Sequence, residues 1–127
     1  MLQAAIASLY AEAASYAQTD WPQLVALYDE LLRVWPSPVV ALNRAVPLAM
    51  ATSPEDALAE VERLERDGRL AGYQYLPAVK ADLLSRLGRG AEAAAAYRQA
   101  LDLTANQAER AFLTARLTVL SAVPGRA

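Results

Sequence analysis

Residues 84–103 read Leu84-Ser85-Arg86-Leu87-Gly88-Arg89-Gly90-Ala91-Glu92-Ala93-Ala94-Ala95-Ala96-Tyr97-Arg98-Gln99-Ala100-Leu101-Asp102-Leu103. This is the end of one apolar-patterned segment, a tight Gly-Arg-Gly turn, and a second segment whose Ala93, Tyr97 and Ala100 share one helical face. The same face recurs upstream as Ala57, Val61 and Leu64, and again as Leu24, Tyr28 and Leu31. Tyr28 to Val61 is 33 residues and Val61 to Tyr97 is 36. Self-similarity near a 34-residue period marks stacked helix-turn-helix units, each too thin to bury its apolar stripe alone. The expected fold is all-α, with seven antiparallel helices stacked as a short solenoid of three hairpins and a C-terminal capping helix.

The punctuation between helices supports that count. A first helix is predicted over about Leu2 to Ala17 and ends at Gln18-Thr19. Asp20 then caps a second helix with Trp21 and Pro22 in its first turn, and Pro36-Ser37-Pro38 stops it near Val34 or Trp35. A third helix spans about Pro38 to Ala51, and Ser53-Pro54-Glu55-Asp56 starts a fourth that ends at Asp67-Gly68. Pro77 sits in the first turn of a fifth helix reaching Leu87, and a sixth runs from Gly90 to Leu103 or Thr104. Asn106 caps a seventh, with Phe112, Leu113, Leu117 and Leu120 on its apolar face. The helical domain is therefore 1–121, followed by a tail at 122–127. Pro47, interior to the third helix, removes a backbone donor and predicts a bend near Asn43.

Composition narrows the chemistry. A chain of 127 residues is one domain, burying roughly two thirds of the surface its unfolded form exposes. Cysteine and histidine are both absent, which removes disulfides, thiolate metal sites, cysteine nucleophiles and the commonest general base. No G-x-S-x-G elbow or phosphate-binding glycine loop is present. Glu60, Glu62 and Glu65 interleave with Arg63 and Arg66, the pattern of a solvated face with local ion pairs. No catalytic, cofactor or metal site is expected. The apolar start Leu2 to Leu9 lacks a basic flank, and no apolar run approaches the roughly 18 residues of a spanning helix. A cytoplasmic location with no membrane contact follows as the expectation. Net charge is −2, divided as −5 over residues 1–60 and +3 over residues 61–127. The basic residues alternate with acids and lack an aromatic platform, so DNA or RNA binding by this segment is not expected.

The stretch from Leu84 to Ala93, with Tyr97 and Ala100, resembles the tetratricopeptide repeat around its central turn, and Pro36 lies where that repeat closes its second helix. Lys80 stands at a usually apolar position of the repeat. The landmarks taken together are more specific. Leu2-Gln3-Ala4-Ala5-Ile6-Ala7, Thr19-Asp20-Trp21, Leu27-Tyr28, the run Ser37-Pro38-Val39-Val40-Ala41-Leu42-Asn43-Arg44-Ala45-Val46, Leu87-Gly88-Arg89, and Asn106 with Glu109-Arg110 and Phe112-Leu113 occur in this order. This string is similar to the C-terminal tetratricopeptide-like extension of a group of bacterial extracytoplasmic-function (ECF) RNA polymerase sigma factors, and the similarity covers about Leu2 to Leu120. Pro47, Gln74 and Lys80 depart from the group's usual residues.

The resemblance implies a non-catalytic regulatory domain that modulates transcription initiation by contacting the upstream sigma regions or core RNA polymerase. Contact with DNA would come only through those upstream regions, which these 127 residues do not contain, so the chain reads as a fragment or a freestanding relative. In tetratricopeptide stacks the first helix of each hairpin lines a concave groove. Asn43 and Arg44 lie on such a helix: an amide holds peptide backbone in two directions and a guanidinium grips a carboxylate. Arg44 has a competing reading, an ion pair with Asp20 or Asp29 inside the fold. Tyr16 and Tyr75 occupy comparable places on the first and fifth helices, as aromatic groove contacts or as core packing. Two further functions are open from sequence: a freestanding peptide-binding adaptor, and a small-molecule sensor with a pocket between the first and third helices. An isolated stack also exposes an end face through which a homodimer would form.

Overall fold

The computed structural model describes residues 20–121, and among these it holds six α-helices and no strand. They are α1 (Trp21–Val34), α2 (Pro38–Ala51), α3 (Pro54–Asp67), α4 (Tyr75–Arg86), α5 (Gly90–Leu103) and α6 (Gln107–Ser121). The helix expected over 2–17, with Tyr16, and the tail at 122–127 lie outside the described residues.

Four helix starts are made by the capping chemistry that predicts them, whereas α4 and α5 begin without a side-chain cap. The Asp20 carboxylate accepts from the Gln23 amide at 3.1 Å, Ser53 Oγ accepts from the Asp56 amide at 3.1 Å, and Ser37 Oγ accepts from the Val39 amide at 3.2 Å. Each therefore satisfies one of the orphan donors at a helix start. Asn106 Oδ1 does the same for the Glu109 amide of α6 at 3.0 Å. Gly68 closes α3 in the left-handed region at φ 84°. Gly88, at φ 76°, closes α4: its amide donates to Ser85 O and the next amide, Arg89, to Leu84 O. This six-to-one, five-to-two pair ties off the last carbonyls and turns the chain directly into α5. α4 begins two residues before Pro77, which stands at its third position. The helix at Pro38–Ala51 continues unbroken across Pro47, whose ring is fully buried.

The recurring triplets are the core. Leu24, Ala57, Val61, Ala93 and Ala100 have no exposed surface, Tyr97 is 2% exposed and Leu31 8%, with Tyr28 and Leu64 half-buried. Two clusters form. The larger unites α2 through α6 around Leu42, Val61, Leu83, Leu84, Tyr97 and Leu113. The smaller joins α1 to α2 through Trp21, Leu24, Leu31 and Val40. Every helix packs on the one before it, and α2 also touches α4.

Phe112 corrects the sequence reading. Leu113 is buried and Leu117 and Leu120 pack against the core, but Phe112 is 60% exposed. The spacing of 113, 117 and 120 defines the buried stripe of α6. Phe112, rotated about 100° from Leu113, joins Glu109, Arg116 and Val119 on the neighbouring stripe.

Polar contacts repeat in the same register as the apolar ones. Arg44 Nε donates to Asp29 Oδ1 at 2.7 Å and Lys80 Nζ to Glu65 Oε1 at 2.9 Å, each pair 15 residues apart. Both tie a helix to the start of the hairpin that follows it. Tyr75 donates to Glu109, and Arg116 to Asp82 at 3.1 Å, each pair 34 residues apart. Both members of the second pair lie seven residues beyond those of the first, so α4 and α6 run in the same direction. Arg86, at the end of α4, meets Met50, at the end of α2, across 36 residues.

Candidate functional site

The register places three stripes side by side. On α2 they are Asn43, Val46 and Met50; on α4, Tyr75, Ala78, Asp82 and Arg86; on α6, Glu109, Phe112, Arg116 and Val119. Cross-helix contacts fix the alignment: Tyr75 to Glu109, Asp82 to Arg116, and Arg86 Nη1 to Met50 Sδ at 3.2 Å. Two hollows fill the space between stripes. One, of about 270 Å³, is lined by Gln74, Tyr75, Ala78, Thr104, Ala108, Glu109, Phe112 and Leu113. The other, of about 190 Å³, is lined by Val46, Ala49, Ala78, Val79, Asp82, Leu83, Arg86 and Phe112. Ala78 and Phe112 wall both, so the hollows adjoin and form one groove.

Asn43 is exposed one turn before Val46 on the groove stripe, and its side chain makes no hydrogen bond among the described residues. Arg44 faces the other way, where its ion pair with Asp29 links α2 to α1. Of the two partners the sequence offers, Asp20 is occupied as a cap. Tyr75 is 45% exposed at the groove's end rather than packed in the core. The structure thus brings Asn43 and Tyr75 onto one surface and removes Arg44 from it.

The residues that sequence reasoning did not assign to the groove are Val46, Met50, Asp82, Arg86, Glu109, Phe112 and Arg116. The signal for them was the 34-residue offset applied to polar residues as well as to apolar ones. Gln74 and Lys80, unusual as repeat residues, both make interhelix contacts: Gln74 Nε2 donates to Glu109 Oε1 at 2.6 Å, and Lys80 pairs with Glu65.

Charge is arranged along the groove. At one end the Tyr75 hydroxyl, above all, together with Thr104 and Gln74, holds the Glu109 carboxyl below its ordinary value near 4.5. The same bond pushes the Tyr75 phenol up. At the other end Asp82 Oδ2 accepts from Arg86 at 3.0 Å while its Oδ1 accepts from Arg116. The Arg116 guanidinium is pushed up chiefly by the Tyr97 hydroxyl, and it lies 5.7 Å from the centroid of the Phe112 ring. Among the described residues no three carboxylates converge on a point that would hold a metal ion, and no helix is long and apolar enough to cross a membrane.

Because the fold depresses the Glu109 pKa, the stabilisation this group provides is present above the ordinary carboxyl pKa and lost as pH falls through the lowered one. Glu109→Gln is therefore expected to melt below the wild type at neutral pH, with the gap closing as acidification carries the carboxyl through its lowered pKa. Thermal melts followed by circular dichroism from neutral pH downward check it. A gap constant with pH would show that the carboxylate's charge plays no part.

The chain is 46% identical over 123 residues to an uncharacterized protein of Rhizobium meliloti (strain 1021), a match covering 97% of this chain and 29% of that protein. The chain thus spans under a third of the length of the curated relative it matches. No family model matches the sequence, and no solved structure matches it.

Proposed function

We propose that this chain is a tetratricopeptide-like regulatory domain of an ECF sigma factor, acting in the cytoplasm by contact with the sigma DNA-binding regions or core RNA polymerase. The observation that carries the interaction reading is the groove: three similarly aligned stripes, repeated at 36 and then 34 residues, leave Val46, Met50 and Phe112 exposed beside polar side chains already held in place. Such a surface is built to receive another chain. The alternation of α1 through α6, with consecutive helices packed and alternate helices in register, supports the short solenoid with three hairpins, the first completed by the helix expected over 2–17. The sigma assignment rests on the ordered landmark string, above all Thr19-Asp20-Trp21 and Ser37 to Val46. A longer relative with a counterpart of nearly this whole chain is the arrangement it requires.

The test is capture of core RNA polymerase, or of the sigma regions encoded with this domain, on immobilised 1–127 at two salt concentrations. Capture by either supports the reading, and capture by neither from a folded sample sinks it. Phe112→Ala is expected to weaken capture and Asn43→Ala to weaken it less. Arg44→Ala is expected to leave it unchanged while costing up to about 1 kcal/mol of stability, the range for an ion pair this exposed. The second reading, a freestanding peptide-binding adaptor, is favoured over a small-molecule sensor because the two hollows open along one groove rather than enclosing a ligand.

A further inference from the structure

The groove has a polarity, and polarity specifies an occupant. Its apolar side chains are Val46 at 42% and Phe112 at 60% exposure, which wall one hollow together, and Met50 at 39% toward the Arg86 end. Phe112 stands between the two hollows, each with room for at least one large apolar side chain. The ends carry opposite charge. Glu109 is held by uncharged donors only, the Tyr75 hydroxyl, the Gln74 amide and the Thr104 hydroxyl, so its negative charge is unmatched by any cation among them. At the other end Arg86 and Arg116 share the one carboxylate of Asp82, which leaves one positive charge unmatched.

We propose that the groove takes an amphipathic helix of a partner protein lying antiparallel to α4 and α6. Two large apolar side chains, one or two turns apart, enter the hollows on either side of Phe112. An acidic residue near the partner helix's N-terminus meets Arg86 and Arg116, and a basic residue near its C-terminus meets Glu109. The direction follows from two effects that agree. A helix is itself stabilised by acids in its first turn and bases in its last. α4 and α6 both start at the Glu109 end, so an antiparallel helix also sets its dipole against theirs. This inference rests on the groove being the interaction surface, and it fixes the chemistry of what lies there.

The probe is a labelled synthetic helix of about 16 residues, with glutamates in its first turn, two central leucines four apart and lysines in its last turn. It is titrated with the full 1–127 chain and followed by fluorescence anisotropy. Saturable binding is expected, weakened about thirtyfold by Phe112→Ala, as for truncation of a hot-spot aromatic. Arg86→Glu is expected to weaken it about tenfold, and a peptide with lysines in place of its N-terminal glutamates is expected to recover that loss. Rescue by the second peptide shows that the variant is folded. No saturable binding, binding indifferent to Phe112→Ala, or failure of the rescue overturns the proposal. A photoreactive group on the peptide's N-terminus is expected to label the Met50 and Arg86 end, and labelling at Tyr75 instead overturns the direction. RNA polymerase or sigma capture that survives both substitutions would keep the regulatory reading and reject this occupant. Peptide binding without such capture would do the reverse.

Discussion

Tyr97→Ala is expected to cost about 3–5 kcal/mol, the range for removing a large aromatic from a packed interior. Tyr97 is the largest of the fully buried side chains, and its own helix surrounds it with Ala93, Ala96 and Ala100, all buried. Alanines have no rotamers with which to fill a void, so the site collapses poorly and the cavity term stays large. The ring also supports α6, because it lies in the same buried cluster as Leu113 of that helix. A domain of this size is stable by only about 5–15 kcal/mol, so the loss is a large share of the total. Urea denaturation followed by circular dichroism measures it, with Tyr97→Phe as the companion. Keeping the ring and losing only the hydroxyl is expected to cost about 1 kcal/mol. A loss under about 1 kcal/mol for the alanine variant would show that the junction of α4, α5 and α6 does not depend on this ring.

The same residue shows why the fold was legible. Tyr97, Val61 and Tyr28 repeat because each hairpin presents the same buried face, and hydrophobic burial acts on residue type wherever the chain places it. Helix ends were legible for a similar reason: Ser37 before Pro38, Ser53 before Pro54, and the glycines at 68 and 88 act through bonds made within a few residues. The groove was legible only in part. Asn43 and Tyr75 could be placed on groove-lining helices, but Arg44 had two acids within reach. The choice of Asp29 depends on how α1 packs on α2, which no local pattern encodes. Phe112 beside Leu113 gives two large apolar neighbours of which a helix can bury one. The partners of Asp82 and Glu109 repeat in position without repeating in type, so an apolar pattern search passes over them.

Leu24→Ala is expected to cost about 2–5 kcal/mol, but in a different place. Leu24 has no exposed surface, and it belongs to the smaller cluster with Trp21, Leu31 and Val40, not to the one that holds Tyr97. α2 serves both clusters: Val40 turns toward α1, whereas Leu42, Ala45, Leu48 and Ala49 belong to the larger cluster, against which α1 places only the partly buried Val25. In a chain whose helices contact chiefly their neighbours, stability is close to a sum of interface terms, and a weakened interface opens without the rest. The variant is therefore expected to release α1 while α2 through α6 stay folded. Native-state hydrogen exchange should show protection lost over Trp21–Val34 and retained in α4 and α5. The Asp29–Arg44 ion pair is too exposed to hold α1 in place, since a pair of that kind contributes at most about 1 kcal/mol. Equal loss of protection in α5 would mean that the two clusters unfold as one, and the cost of Leu24→Ala would then appear as a single cooperative shift like that of Tyr97→Ala. The contrast bears on the groove, whose three stripes lie on helices rooted in the larger cluster. A protein with α1 released is expected to keep the spacing of Val46, Met50, Asp82 and Phe112, and with it the surface a partner would meet.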